Sequence, residues 1–247
     1  MTDHIIIFYL MAAFVGLLIG IAKGGFGGLI GTLATPLMTL VLPPSQAVGL
    51  VLPMLMFADI FAVITYWKRW RLKLVLLLLP GGIIGVTIGT FFIKHASTEL
   101  WRNALAAIVF IFTLYKLLEK YILRWFTYRT SDWHGLLAGT VAGFSSTLAN
   151  AGGPPIAIYL LFQKLPPIEF NASSVLFFAI LNWIKVPYYA YAGLFHLDQL
   201  LRIIWLIPLI PMGVVLGRWM TDKIDRILFE RLIVVLLMVS GFLLLLM

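Results

Sequence analysis

Four stretches of this chain, Ile5 to Ala22, Ala47 to Trp67, Leu74 to Ile93 and Leu228 to Met247, run for 18 to 21 residues with very few charges. About 20 such residues in a helix cover the roughly 30 Å hydrocarbon core of a bilayer. Water is absent there, so every backbone N–H and C=O must find its partner within the protein, and long apolar runs solve this as helices. Charged residues make up 11% of the chain, well below the roughly 25% of a soluble domain. The expected class is therefore an all-α polytopic membrane protein whose surroundings are the lipid bilayer. Asp3 and His4 precede the first apolar run and no small-residue cleavage pattern follows it, so Ile5 onward is expected to stay in the mature protein. The chain has no cysteine, which excludes disulfides and thiolate chemistry.

The net charge of +8 is explained by placement. Thirteen of the eighteen Lys and Arg residues fall in clusters at Lys68, Arg69, Arg71, Lys73; Lys116, Lys120, Arg124, Arg129; Lys164; and Arg218, Lys223, Arg226, Arg231. Such clusters beside apolar spans mark the cytoplasmic side. No soluble segment carries an aromatic-and-basic surface, so nucleic acid is not an expected partner.

Internal similarity divides the chain. Gly16 to Gly20 is echoed by Gly135 to Gly139 at an offset of 119, Leu42-Pro43-Pro44 by Leu165-Pro166-Pro167 at 123, and Pro80, Gly85, Gly89 by Pro208, Gly213, Gly217 at 128. The expected organisation is a first membrane repeat over 1–120, a cytoplasmic linker over 121–132 and a second repeat over 133–247, forming one integrated membrane domain. Corresponding loops carry opposite charge bias: 68–73 is basic and 191–202 is not, whereas 94–102 is sparsely charged and 218–231 is densely basic. Inverting one repeat relative to the other places every basic cluster on one side.

Each repeat opens with an interrupted apolar segment, Ile5 to Leu42 or Trp133 to Leu165. Three spans follow, at 46–67, 74–93 and 101–120 in the first repeat, and at 170–190, 203–217 and 229–247 in the second. The interruptions are Ala22-Lys23-Gly24-Gly25-Phe26-Gly27-Gly28 and Asn150-Ala151-Gly152-Gly153-Pro154-Pro155. Glycine runs release a helix, proline removes a donor, and such breaks persist at membrane depth only inside protein or along a cavity. Each opening reads as a re-entrant helical hairpin, the first entering from outside and the second from inside, with tips near the midplane. Pairs of short crossings fit the charges equally well.

Broken helices in corresponding positions point to a transporter's binding site, because free N–H groups and the positive helix end attract anions. The expected substrate-binding set is Lys23, Gly24, Gly25 and Thr35 from the first opening, Ser146, Asn150, Gly152 and Gly153 from the second, and Asn182 and Lys185 from the following span. A lysine at membrane depth costs about 2.5–3.5 kcal/mol, so Lys23 needs an anion, a carboxylate or a helix end to compensate it. Asp59, whose repeat counterpart is Asn182, is either a proton-coupling group or a fixed counter-ion. Lys185 lies one turn from Asn182, just before a kink expected at Pro187, and either contacts an anion or snorkels outward past Tyr188 and Tyr189. Ser145, Thr147 and Thr32 either donate to an oxyanion or bond their own helices. No catalytic set, metal site or cofactor motif is present, so an enzyme is not expected.

The two glycine-rich, proline-terminated openings, Gly20 to Pro36 and Gly139 to Pro155, each followed by Leu-Pro-Pro and three spans, resemble the TauE/SafE family of anion transporters over nearly the whole chain. The resemblance implies export of sulfite or an organosulfonate, such as sulfoacetate or taurine-derived products, across an inner membrane, coupled to protons or membrane potential. Another small oxyanion or carboxylate is the alternative cargo, and a non-transporting assembly subunit is the alternative class. A homodimer is compatible with either.

Overall fold

The computed structural model describes residues 2–25, 29–125 and 132–221. The span expected at 229–247 lies outside them, as do Gly27, Gly28, Arg129, Lys223, Arg226 and Arg231. Among the described residues every regular element is helical. The first half comprises α1 (Thr2–Gly25), a 3-10 turn at Leu29–Leu33, α2 (Ala34–Thr39), α3 (Pro44–Thr65), α4 (Leu72–His95) and α5 (Thr98–Trp125). The second comprises α6 (Asp132–Ala149), α7 (Gly153–Phe162), α8 (Pro167–Tyr191), α9 (Leu197–Ile203), a 3-10 turn at Ile204–Leu206 and α10 (Leu209–Thr221).

Helices α1, α3, α4 and α8 are each long and apolar enough to cross a bilayer, which makes the chain a multi-pass membrane protein. Large apolar side chains such as Leu10, Phe91, Phe110 and Val215 are exposed on the outer surface, as lipid contact requires. Both α3 and α8 begin at the second proline of their Leu-Pro-Pro, in the first turn where its missing N–H costs nothing. Helix α8 continues through Pro187. The span expected at 203–217 is instead a broken one: helix from Asp198 to Leu206 meets helix from Leu209 to Trp219 at 50°. Pro208 stands at the bend, where it removes a backbone donor. Helix α5 exceeds the expected 101–120, and Lys116, Glu119, Lys120 and Arg124 in its second half keep it from being a fully apolar span.

Packing corrects the register of the duplication. Gly213 of α10 lies against Leu17, Gly20 and Ile21 of α1, and Gly85 of α4 lies against Thr140, Gly143 and Phe144 of α6. The two sets of partners differ by 123, not 119, so Gly16 corresponds to Gly139 and Gly20 to Gly143. Glycines recur every four residues in both helices, which lets the sequence match slide by one helical turn. The same contacts show that each opening helix packs, in parallel, on the other half's second long helix: α1 on α10 and α6 on α4. Small residues at four-residue spacing bring the backbones close enough for this.

At the centre α3 crosses α8 antiparallel. Gly49 meets Leu194, Asp59 meets Asn182, Tyr66 sits in one cluster with Ala172 and Val175, and Arg71 meets Ser173. Because Asp59 and Asn182 are corresponding residues, the crossing is centred on them. Helix α1 runs parallel to α3 and ends beside Asp59, so residues 29–43 bring the chain back to the end where α3 starts. Helix α6 ends at Ala149, and Asn150 adopts a left-handed conformation (φ 51) that terminates it. The chain then reverses into α7, whose first turn carries Pro154 and Pro155. Both openings are hairpins, with arms of unequal length.

A Cβ on Gly143 would meet the Gly82 carbonyl oxygen, whereas one on Gly31 would meet only the flexible end of Leu55, at 3.8 Å. Gly143→Val is expected to cost about 3 kcal/mol and to lower the melting temperature of detergent-purified protein sharply. Gly31→Ala should leave it nearly unchanged.

Candidate functional site

Five polar side chains converge on the α3/α8 crossing. The Lys23 ammonium, in the last turn of α1, donates to Asp59 Oδ1 at 2.5 Å, and both side chains are under 5% exposed. The last turn of a helix carries partial negative charge and favours a cation, so Lys23 is compensated twice. Asn182 Nδ2 donates to the other Asp59 oxygen at 2.7 Å. In the second half Lys185 is fully buried and donates to Asn150 Oδ1 at 2.7 Å, Ser146 Oγ at 3.0 Å and the Ser146 carbonyl at 3.3 Å. Lys185 therefore does not snorkel outward. It turns inward onto the second hairpin and lies within electrostatic range of both Asp59 and Lys23.

Asn150 ties the two hairpins together. Its Nδ2 donates to Thr35 Oγ1 at 3.1 Å and to the Val48 carbonyl at 3.3 Å. The carbonyls released where the opening helices end are taken up by phenols at corresponding positions: Tyr66 OH donates to Gly24 at 3.2 Å and Tyr189 OH to Thr147 at 2.8 Å. Trp101 Nε1 donates to the Leu148 carbonyl at 3.2 Å. The breaks are thus satisfied by side chains from neighbouring helices, the condition for irregular backbone inside a membrane protein.

Between the hairpins lies a cavity of about 20 Å³ lined by Lys23, Gly31, Leu55, Ser146, Asn150, Gly153, Phe178 and Asn182. That is room for about one water, too little for an oxyanion. The Lys23 ammonium stands 5.4 Å from the centre of the Phe178 ring. Helix α7 starts at Gly153 and directs its N-terminal positive end toward the cavity wall.

Of the residues singled out from the sequence, Lys23, Ser146, Asn150, Gly153 and Asn182 line this cavity, and Asp59, Thr35 and Lys185 are bonded to them. Gly24, Gly25 and Gly152 do not line it. A Cβ on Gly24 would meet the Val214 carbonyl, and one on Gly152 would meet Ala142, Phe178 and Ser146, so close packing accounts for both glycines; Gly25 is buried at the end of α1. Ser145 and Thr147 bond carbonyls of their own helix. Gly31, Leu55, Phe178 and the phenols Tyr66 and Tyr189 were not anticipated. The two tyrosines share the 123 offset of Asp59 and Asn182, a signal that could have found them.

A long-helix membrane bundle with interrupted helices around a buried polar centre is a construction that membrane transporters use. The family profile described as "Sulfite exporter TauE/SafE" matches residues 12–244, and the chain belongs to this family of transporters, not of enzymes. A curated relative from Cupriavidus necator, "Probable sulfite/organosulfonate exporter TauE", is 22% identical over 141 residues, which cover 57% of this chain and 54% of the relative. The chain thus spans about half the length of the curated relative it matches. No solved structure matches it.

Removing one member of a buried pair strands the other charge, at about 3–5 kcal/mol. Lys23→Met and Asp59→Leu are each expected to lose that much in thermal or denaturant unfolding in detergent, and the double variant should recover most of it. A loss in the double variant equal to the sum of the two single losses would show that the pair is not coupled.

Proposed function

We propose that this protein moves a small oxyanion, sulfite or an organosulfonate, out of the cell by alternating access, with proton release from Asp59 coupled to the cycle. The observation that carries this reading is the make-up of the centre: two buried lysines, Lys23 and Lys185, lie beside a single buried carboxylate among the described residues, Asp59, which pairs with Lys23. With all three ionised the centre holds one excess positive charge, which a monoanion neutralises. Inside a low-dielectric protein an unbalanced charge is costly, so the centre favours an anion over a neutral or cationic cargo.

The cavity holds about a single water, so an oxyanion fits only when the hairpins separate. Proton binding to Asp59 weakens its hold on Lys23 and frees that ammonium for the oxyanion. Return of the Lys23–Asp59 contact expels the anion and the proton. Lys23 on α1, and Asn182 and Lys185 on α8, are the polar or charged groups that face Asp59 across this step.

The halves are read as inverted repeats. Their corresponding helices α3 and α8 cross antiparallel at corresponding residues, and only inversion puts all basic clusters on the cytoplasmic side. The two hairpins then enter from opposite faces and meet at the centre, which gives alternating access its two symmetric routes. The bacterial inner membrane is the compartment this orientation fits.

Proteoliposomes preloaded with sulfite or a sulfonate are expected to release it faster than protein-free vesicles. Lys23→Gln should slow release at least about tenfold, the loss of one charged contact, and Asp59→Asn should abolish the dependence on a pH gradient while leaving measurable exchange. Wild-type protein that moves none of sulfite, sulfonates or small carboxylates under any gradient would exclude the transport reading and leave a membrane assembly subunit.

A further inference from the structure

The α3/α8 crossing is fastened at both ends by corresponding residues. At one end Arg71, preceding α4, pairs with Glu169 in the first turn of α8; Nε and one terminal nitrogen donate to the two carboxylate oxygens at 2.5 and 3.2 Å. At the other end Gln199, in the first turn of α9, donates to Gln46 in the first turn of α3 at 2.6 Å. Gln46 and Glu169 are 123 apart, and Arg71 and Gln199 are 128 apart, the offsets of their respective helices. Duplication therefore supplied two equivalent clasps, of which only one is charged.

The surroundings differ in the same sense. The glutamine clasp sits where Gly49 packs directly on the Leu194 backbone, and Gln199 is nearly buried. The charged clasp borders an open pocket of about 430 Å³ lined by Lys68, Arg69, Trp70, Arg71, Pro166, Ile168 and Glu169. The turn that leaves α8 uses Gly193 at φ 69, but the turn that leaves α3 holds Lys68 in the left-handed region at φ 59. A side chain there is strained, at about 1–3 kcal/mol, where glycine is free. The positive-inside rule accounts for lysines and arginines at this end, but not for the pocket, the strained backbone or the glutamate that occupies Arg71.

We propose that this pocket is an anion-loading site on the cytoplasmic face, in which Lys68 and Arg69 gather the oxyanion and Arg71 exchanges Glu169 for it. Release of Glu169 frees the start of α8 from the α3–α4 turn and opens the path to the central cavity. The pair suits this exchange because it is exposed, with Arg71 60% and Glu169 27% accessible, so an arriving anion can reach it and salt screens it. The glutamine clasp gathers no anion, so loading is one-sided and directs transport outward. The proposal rests on the transport reading above and assigns that reading a second binding site and a direction.

The test measures sulfite transport in everted and right-side-out membrane vesicles, which present opposite faces. With two cations removed from the mouth, Lys68→Gln/Arg69→Gln is expected to raise KM about fivefold at low salt, with kcat unchanged, only when sulfite is offered to the cytoplasmic face. Glu169→Gln should lower that KM, and 0.5 M KCl should erase both differences. An unchanged KM, or equal shifts at both faces, overturns the loading site while active wild-type protein leaves the transport reading standing. The pocket would otherwise hold an anionic lipid headgroup, so the variants are repeated in proteoliposomes of phosphatidylcholine alone. A KM shift that persists there supports the loading site, and one that appears only when anionic lipid is added assigns the pocket to lipid.

Discussion

Everything at the centre of this molecule follows from burying two lysines among apolar helices with, among the described residues, a single buried carboxylate beside them. An isolated charge in such surroundings is not tolerated, so each lysine is held by several partners. Lys23 has Asp59 and the end of α1, and Lys185 has Ser146 and Asn150. Those partners lie on the two hairpin apices and the two crossing helices, so the demand for compensation fixes where α1, α3, α6 and α8 stand relative to one another. The cavity is small because these polar groups already hydrogen-bond to one another. Any anion that enters must take over contacts now made within the protein.

Long elements were readable from the chain because their signal is physical length: α3, α4 and α8 lie within a few residues of the apolar runs that announced them. The bend at Pro208 was not, since the run from 203 to 217 is apolar throughout and proline in a membrane helix either kinks or is absorbed. Pro187 shows the second outcome. The repeat was visible, but its register was misread by one turn, because a glycine every fourth residue fits itself equally well after a shift of four. Only the packing partners of Gly85 and Gly213 separate the two alignments.

For the centre, residue type was informative and glycine was not. Lysines, the aspartate and the asparagines in apolar runs had to meet something polar, and the structure brings Lys23, Asp59, Asn150, Asn182 and Lys185 together. Gly24, Gly25 and Gly152 looked like part of the same chemistry, yet close approach of helices explains Gly24 and Gly152. Phe178 and Leu55 carried no signal at all, being apolar residues in apolar helices. The duplicated scaffold also placed charge unevenly: Lys23 corresponds to Ser146, Lys185 to Ala62 and Asp59 to Asn182. Symmetry supplies the frame, and departures from it supply the chemistry.

The exchange of partners between halves has a further consequence, for biosynthesis. Gly20 of α1 packs on Gly213 of α10, roughly 190 residues later, which at about 5–20 residues per second is a wait of about 10–40 s. Throughout that interval Gly20 and Gly24 of α1 lack the α10 backbone they pack against, and the first half cannot reach its final packing alone. Insertion into the membrane and folding within it are therefore separate events for this chain. Until the second half arrives, lipid occupies the place that α10 later takes against α1.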